Sequence, residues 1–363
     1  MPFSLEARLA SRNNAVTLIR LLLAILVVFG HTWEVGGFGE DPIQRITGVT
    51  SGEIGVNAFF ALSGYLVTQS WSRSFFYSEY LWKRFLRIFP GYWVCLVLTG
   101  LVLFPYLWAE QHQLILSAAY HEGIFLDYVK LNLFLRMIQP NIGDLFINHP
   151  AAGQVNGSLW SLFPEFLCYI GVLVAGMAGL LAGKRRVLIF VFAGFLYLLH
   201  YSGPDIIARM HGHSLEGKVW YVWRVATQAT FFAGGLLCYL AAGRIYVSWR
   251  NTVVLAGILV FVAMLGAYEW FAPVLLPPLL LLLAALLPGA KLDAVGDYSY
   301  GIYVYHYPLQ QAFYQLSVNL GNAFGFFSLT LICTIQLAVL SWHLIEKPAL
   351  GLRHRITNKP VAH

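Results

Sequence analysis

The chain has 363 residues, of which 58% are hydrophobic and 11% charged, and its mean hydropathy is +0.66. So few polar side chains cannot coat a water-soluble globule of this length, so the chain reads as an all-α polytopic integral membrane protein. The net charge of +6 does not point to nucleic acid, because the basic residues lie between apolar runs and not in one stripe.

The aromatic content of 16%, with 11 Trp and 20 Tyr, suits side chains that anchor helix ends at headgroup level. Cys95, Cys168, Cys238 and Cys333 are scattered, with no CxxC and no histidine at ligand spacing, so neither a disulfide framework nor a metal site is expected.

The start, MPFSLEARLASRNNAV, is basic and leads into an apolar run with no small-residue cleavage site, which predicts an uncleaved first transmembrane helix. At about 20 apolar residues per crossing, about ten spans are expected. They lie near 15–33, 54–72, 89–108, 159–182, 185–202, 222–243, 250–269, 272–290, 296–316 and 324–345, with APVLLPP breaking the stretch from 250 to 290. With the N-terminus inside, sixteen of the 23 Lys and Arg fall on cytoplasmic segments, among them Arg12, Lys83, Arg84, Arg87, Lys291, Arg355 and Lys359. Six fall on outer loops, so both termini are expected in the cytoplasm. The longest non-spanning stretch, about 109–158, is an outer loop; its length suits a functional segment, with a disordered connector as the alternative. The chain is expected to form a single transmembrane domain over 1–363, with no separate soluble domain, and nothing in it speaks to oligomeric state.

Some residues do not belong in lipid. In VTLIRLLLAILVVFGHTWEV, Arg20 and His31 are eleven residues apart. On a helix that is about 20° around the axis and about 16 Å along it. Both then share a face that lines a polar cavity, unless Arg20 snorkels to the cytoplasmic surface and His31 marks the outer interface. In the second span Asn57, Ser63 and Gly64 interrupt the apolar run, with Gly64 read as a close-packing residue. Arg84 and Arg87, at i and i+3 in KRFLRIFPGYW, form either an ordinary positive-inside cluster or a phosphate-binding pair, with Pro90 starting the next span. In NGSLWSLFPEFLCYI, Ser158, Ser161 and Glu165 share one face. A buried carboxylate needs a cavity or a structural cation. DYSYGIYVYHYPLQQ places Tyr303 and His306 one turn apart, His306 being a structural hydrogen-bonding residue or a participant in chemistry. Glu346, Lys347 and Pro348 read as the stop and anchor of the last helix.

In this order, the Arg20-to-His31 spacing, GVNAFFALSGYL, RFLRIFPGYW, SLWSLFPEF, SYGIYVYHYPL and IEKP resemble the bacterial membrane acyltransferases often called acyltransferase type 3. That family includes O-antigen, enterobacterial common antigen and Nod-factor acetyltransferases. The resemblance covers nearly the whole chain. It implies a bacterial inner-membrane O-acyltransferase that moves an acyl group, commonly acetyl, from cytoplasmic acyl-CoA to a hydroxyl of a cell-surface saccharide or lipid-linked glycan. It also implies functional roles for Arg20, His31, Arg84, Arg87 and Glu165, with no permanently bound cofactor. Two departures stand out: Pro164 precedes Glu165 without a second acidic residue after it, and no extracytoplasmic esterase-like domain follows, so a stand-alone enzyme is expected.

On this reading Arg84, Arg87 and Arg20 hold donor phosphates, His31 is the general base and Glu165 orients it. Asn57, Ser63, Ser161, Tyr303 and His306 are further cavity residues. Direct transfer and a transient acyl-histidine both fit. The rival from another class is a secondary transporter or flippase, using the same Arg, His and Glu for a proton or an anionic or glycan solute.

Overall fold

A computed structural model describes residues 3–11, 13–121, 123–289, 292, 295–318 and 321–353. Arg12, Lys291, Arg355 and Lys359, counted above for orientation, lie outside the described residues. The described chain is helical, its one β feature being an isolated antiparallel bridge between Ser4 and Tyr246. In chain order the α-helices of five or more described residues are α1 (Leu5–Ala10), α2 (Val16–Gly36), α3 (Ser51–Ser72), α4 (Tyr77–Leu98), α5 (Phe104–Gln111), α6 (Leu116–His121), α7 (Ile124–Leu131), α8 (Leu162–Met177), α9 (Arg186–Arg209), α10 (Glu216–Leu240), α11 (Trp249–Met264), α12 (Tyr268–Leu286), α13 (Ser299–Gln315), α14 (Ala323–Ser341) and α15 (Lys347–Gly351). A helix covers most of each segment expected to span. Among the described residues six helical stretches are long and apolar enough to cross a membrane, those containing α2, α4–α5, α8, α9, α12 and α14–α15, so the protein is a multi-pass membrane protein.

Three local expectations are corrected. Pro90 does not open a helix but lies inside α4, so Arg84 and Arg87 sit on the same continuous helix as the apolar run. Proline already has helical φ, and its missing N–H removes one ladder bond without ending the helix. APVLLPP likewise stays helical within α12; the chain turns earlier, at Gly266, whose φ of +69° suits glycine. Glu346-Lys347-Pro348 does not stop the last helix. A π-helical turn over Trp342–Glu346 leads into α15, with Pro348 in the first turn, where its missing N–H costs least.

The chain divides into two compact units. The first comprises Met1–Leu23, Ile43–Tyr80 and Pro164–Val295. Its centre is the pairing of α3 with α10, where Gly64 and Gly235 let the backbones touch. A Cβ on Gly64 would collide with the Phe232 carbonyl, and one on Gly235 with that of Ala61. This is the close packing expected of Gly64, the small-residue device of helices that lack a hydrophobic drive to associate. At the N-terminus, Ser4 caps α1, and the peptide is sewn to the segment after α10 by Leu5 N to Ile245 O at 2.8 Å and Val247 N to Phe3 O at 3.0 Å. Arg8 Nε donates to Ala285 O at the end of α12 at 3.1 Å.

The second unit comprises Ala24–Pro42, Leu81–Phe163 and Gly296–His363. Its axis is α13, buried at nearly every position from Ser299 to Ala312. Gly301 lies against Ala338 of α14. The segment 109–158 is ordered by its own hydrogen bonds. Asn132 accepts from Ile138 N at 2.8 Å and Gln139 N at 3.1 Å and donates to Gln139 O at 2.8 Å. Trp93 of α4 donates to Leu133 O at 2.9 Å, and Tyr92 to Asn132 O, so the segment is pinned to α4.

Candidate active site

In the second unit, α2 presents His31 to His306 of α13. The ring nitrogens His31 Nδ1 and His306 Nε2 are 2.9 Å apart. His306 Nδ1 lies 3.1 Å from the carbonyl of Ile302, one turn back on its own helix. A carbonyl can only accept, so His306 carries its proton on Nδ1. In the neutral pair its Nε2 is then the acceptor, and His31 donates from Nδ1. His31 Nε2 is therefore left with a bare lone pair. His306 is fully buried whereas His31 is half-buried, so the reachable basic nitrogen of the pair belongs to His31. Tyr307 packs edge-on against the His31 ring at 5.1 Å between centroids. Gln310, one turn further along α13, donates to Val28 O and Thr32 Oγ1, both at 3.1 Å, and so fixes α2 in register beside α13.

Ser161 and Tyr303 meet through their hydroxyls at 2.5 Å, and Tyr303 also donates to Ser158 O at 2.6 Å. Ser158 is in turn held by Asn156 Oδ1 at 2.7 Å, and Asn156 Nδ2 donates to Val304 O at 3.1 Å. This chain of bonds closes the turn that leads into α8 against α13.

Arg84 and Arg87 project from α4. Arg87 pairs with Asp297 at 2.5 Å, both side chains being less than one-fifth exposed. Asp297 also accepts from the Ser299 hydroxyl at the start of α13.

In the first unit, Glu165 Oε1 accepts from Ser63 at 3.0 Å and from Tyr169 at 2.6 Å, tying α8 to α3. In the second unit the hydrogen bond to His31 is made by His306. Arg20 lies over the Phe59 ring at 5.7 Å. Asn57 is buried against a small cavity of its own. Among the described residues no group of three or more His, Cys, Asp or Glu could hold a metal ion.

The contacts thus join His31 with His306, Ser161 with Tyr303 and Ser63 with Glu165. Asp297, Gln310 and Asn156 escaped the sequence reading. For Gln310 the signal was there, since Tyr303, His306, Tyr307 and Gln310 recur at helical spacing in one polar stripe of α13.

A family model described as an acyltransferase domain matches residues 13–343. The chain is similar to a protein named O-acetyl transferase from Shigella phage Sf6, 28% identical over 350 residues that cover 93% of this chain and 96% of the relative. It is also similar to Nodulation protein 10 of Rhizobium leguminosarum bv. viciae, 27% identical over 375 residues covering 94% of each. No solved structure matches.

Proposed function

Since the chain belongs to the acyltransferase-domain family matched over residues 13–343 and is an acyltransferase, we propose that it transfers an acyl group, in the first instance acetyl, from cytoplasmic acyl-CoA to a hydroxyl of a cell-surface saccharide or lipid-linked glycan. The observation that carries the chemistry is the His31–His306 hydrogen bond, which leaves His31 Nε2 as a free base.

In this reading Nε2 of His31 takes the proton of an acceptor hydroxyl as its oxygen attacks the thioester carbonyl. The tetrahedral adduct expels the CoA thiolate, and the proton on Nε2 passes to that sulfur, so the products are an O-acyl ester and CoA-SH. His306 is the positioning residue that fixes the tautomer, the role a carboxylate plays in a Ser-His-Asp arrangement. Arg84, Arg87 and Arg20 bind donor phosphates, because a planar guanidinium makes bidentate contacts with phosphate oxygens. Glu165, whose Oε2 remains open beyond the bonds to Ser63 and Tyr169, contributes a carboxylate oxygen that accepts from an acceptor hydroxyl. Apolar runs and the distribution of Lys and Arg in the sequence are what support ten crossings in one transmembrane domain with both termini in the cytoplasm, and the family resemblance supports residence in a bacterial inner membrane. The name of one relative, O-acetyl transferase, supports acetyl as the group moved and an oxygen as its acceptor.

The test is to incubate the purified protein in nanodiscs with radiolabelled acetyl-CoA and surface glycan. An alkali-labile label on the glycan, lost in His31→Ala, is the expected result. Glycan or solute movement across vesicles without transfer would make the protein a transporter, and full transfer by a folded His31→Ala protein would remove His31 from the chemistry.

A further inference from the structure

The first unit holds a second polar centre on a different face of α3 from Ser63. Asn57 and Ser63 are six residues apart, which rotates them about 120° around the helix axis. A cavity beside Asn57 is lined by Glu53 of α3, His200 of α9, Thr227 of α10, and Tyr268 and Glu269 of α12, with Trp223 as an aromatic wall. Its free space is about 10 Å³ for the centre of a water-sized group, room for one oxygen atom and not for a ring.

The polar groups around this space are unequally satisfied. Glu53 is paired with Arg224 at 2.7 Å. His200 is used on both sides, Nδ1 with Thr227 Oγ1 and Nε2 with Glu269 O, each at 3.0 Å. The amide oxygen of Asn57 and the hydroxyl of Tyr268, each in a residue 4% exposed, have no hydrogen-bond partner. Leaving such atoms dry is costly, so the cavity is built for a guest that donates to Asn57 and exchanges a hydrogen bond with Tyr268. A cation is a poor guest, since Arg224 already neutralises Glu53 and no cluster of metal-ligating side chains is present among the described residues. A hydroxyl group, donor and acceptor at once, matches both atoms.

The cavity is reached past Glu269, which is exposed, and Glu53, which is partly so. Both lie in the first turns of their helices. At the opposite ends of α3, α9, α10 and α11 lie Arg73, Lys184, Arg185, Arg186, Arg244 and Arg250, against Arg45, Arg209, Lys218 and Arg224 at the mouth end. By the distribution of positive charge the mouth faces outward.

We propose that this cavity reads one exocyclic hydroxyl of the saccharide acceptor, with Asn57 Oδ1 and the Tyr268 hydroxyl as the reading atoms. The inference rests on the saccharide being the acceptor. It adds a specificity-determining subsite, separate from the Ser63–Glu165 pair.

The experiment uses the whole protein in nanodiscs, with methyl glycosides of glucose, galactose and N-acetylglucosamine and their monodeoxy analogues as probes. Binding is read by intrinsic tryptophan fluorescence and transfer by labelled acetyl-CoA. Tyr268→Phe, which keeps the ring and removes one oxygen, and Asn57→Leu should each weaken binding of the preferred glycoside about five- to tenfold, the effect of one hydrogen bond. Donor KM should stay unchanged. One monodeoxy analogue should bind as weakly to the wild type as the parent does to Tyr268→Phe, and that analogue should not distinguish the variant from the wild type. A Tyr268→Phe effect that is the same for every analogue, or that adds fully to each deoxy change, means the cavity holds a structural water and overturns the proposal. Hydroxyl-specific binding without any acyl transfer would sink the transfer reading and leave the subsite standing. No glycoside binding at all overturns the subsite, whatever the transfer assay shows.

Discussion

Replacing His306 tests the central chemistry most directly. In the neutral pair His31 Nδ1–H has His306 Nε2 as an acceptor at 2.9 Å. His306→Leu removes it inside a packed interior. An unmade bond at a buried donor costs about 1–3 kcal/mol. The His31 ring escapes that cost by rotating or by moving its proton to Nε2, and either change withdraws the base from the reacting hydroxyl. At 1.36 kcal/mol per tenfold, kcat should fall about 5- to 150-fold. Replacing the carboxylate orienter of a protease triad costs about 10⁴-fold, because the imidazole is left in the wrong tautomer, so the loss here should not exceed that. His306→Gln supplies an amide oxygen in the same region and should recover most of the lost kcat. The assay is initial-rate acetyl transfer at saturating acetyl-CoA and varied acceptor, with a thermal melt to confirm folding. An unchanged kcat in a folded His306→Leu protein, or a Gln variant no better than Leu, would refute the positioning role.

Other parts of the structure make separate predictions. Arg84→Ala with Arg87→Ala should raise the KM for acetyl-CoA about tenfold or more and leave acceptor KM nearly unchanged; the opposite pattern contradicts phosphate binding. Asp297→Asn removes the carboxylate that competes for Arg87 and should lower donor KM about two- to fivefold at low salt, whereas a raised KM would mean that Asp297 positions the arginine. Gly64→Ala or Gly235→Ala forces α3 and α10 apart and should destabilise the protein by about 1–3 kcal/mol, seen as a lower melting temperature in detergent; an unchanged melt would contradict the backbone contact. Asn132→Ala removes three hydrogen bonds from the 109–158 segment and should expose it to limited proteolysis while leaving the helices intact.

Apolar length was enough to locate the helices, because crossing or lining a bilayer demands long runs that later packing does not rewrite. Proline misled at Pro90, at Pro273 with Pro277 and Pro278, and at Pro348. A membrane helix loses one internal bond to proline but has no water waiting to take over the others, so it continues. Gly64 was legible because only contact between backbones explains a glycine in that position. The partner of His31 was not, since spacing along a single helix says which residues share a face but not which side chain of another helix arrives there. His306 stood in view as a polar residue in an apolar helix; its role depends on Ile302 O fixing one of its two nitrogens, a detail that composition cannot carry.

The short helix α1 has an implication for biogenesis. Its hydrogen bonds go to Ala242, Ile245 and Ala285, the last of them 277 residues later in the chain. At ribosomal rates of about 5–20 residues per second, those partners emerge about 15–55 s after α1 itself. For that interval Leu5 and Leu9, buried in the finished protein, need a temporary home, which the surface of the bilayer beside the first inserted helix can provide. Residues made before their partners are thus seated late, so a bulky fusion ahead of α1 should delay assembly more than one placed after α15.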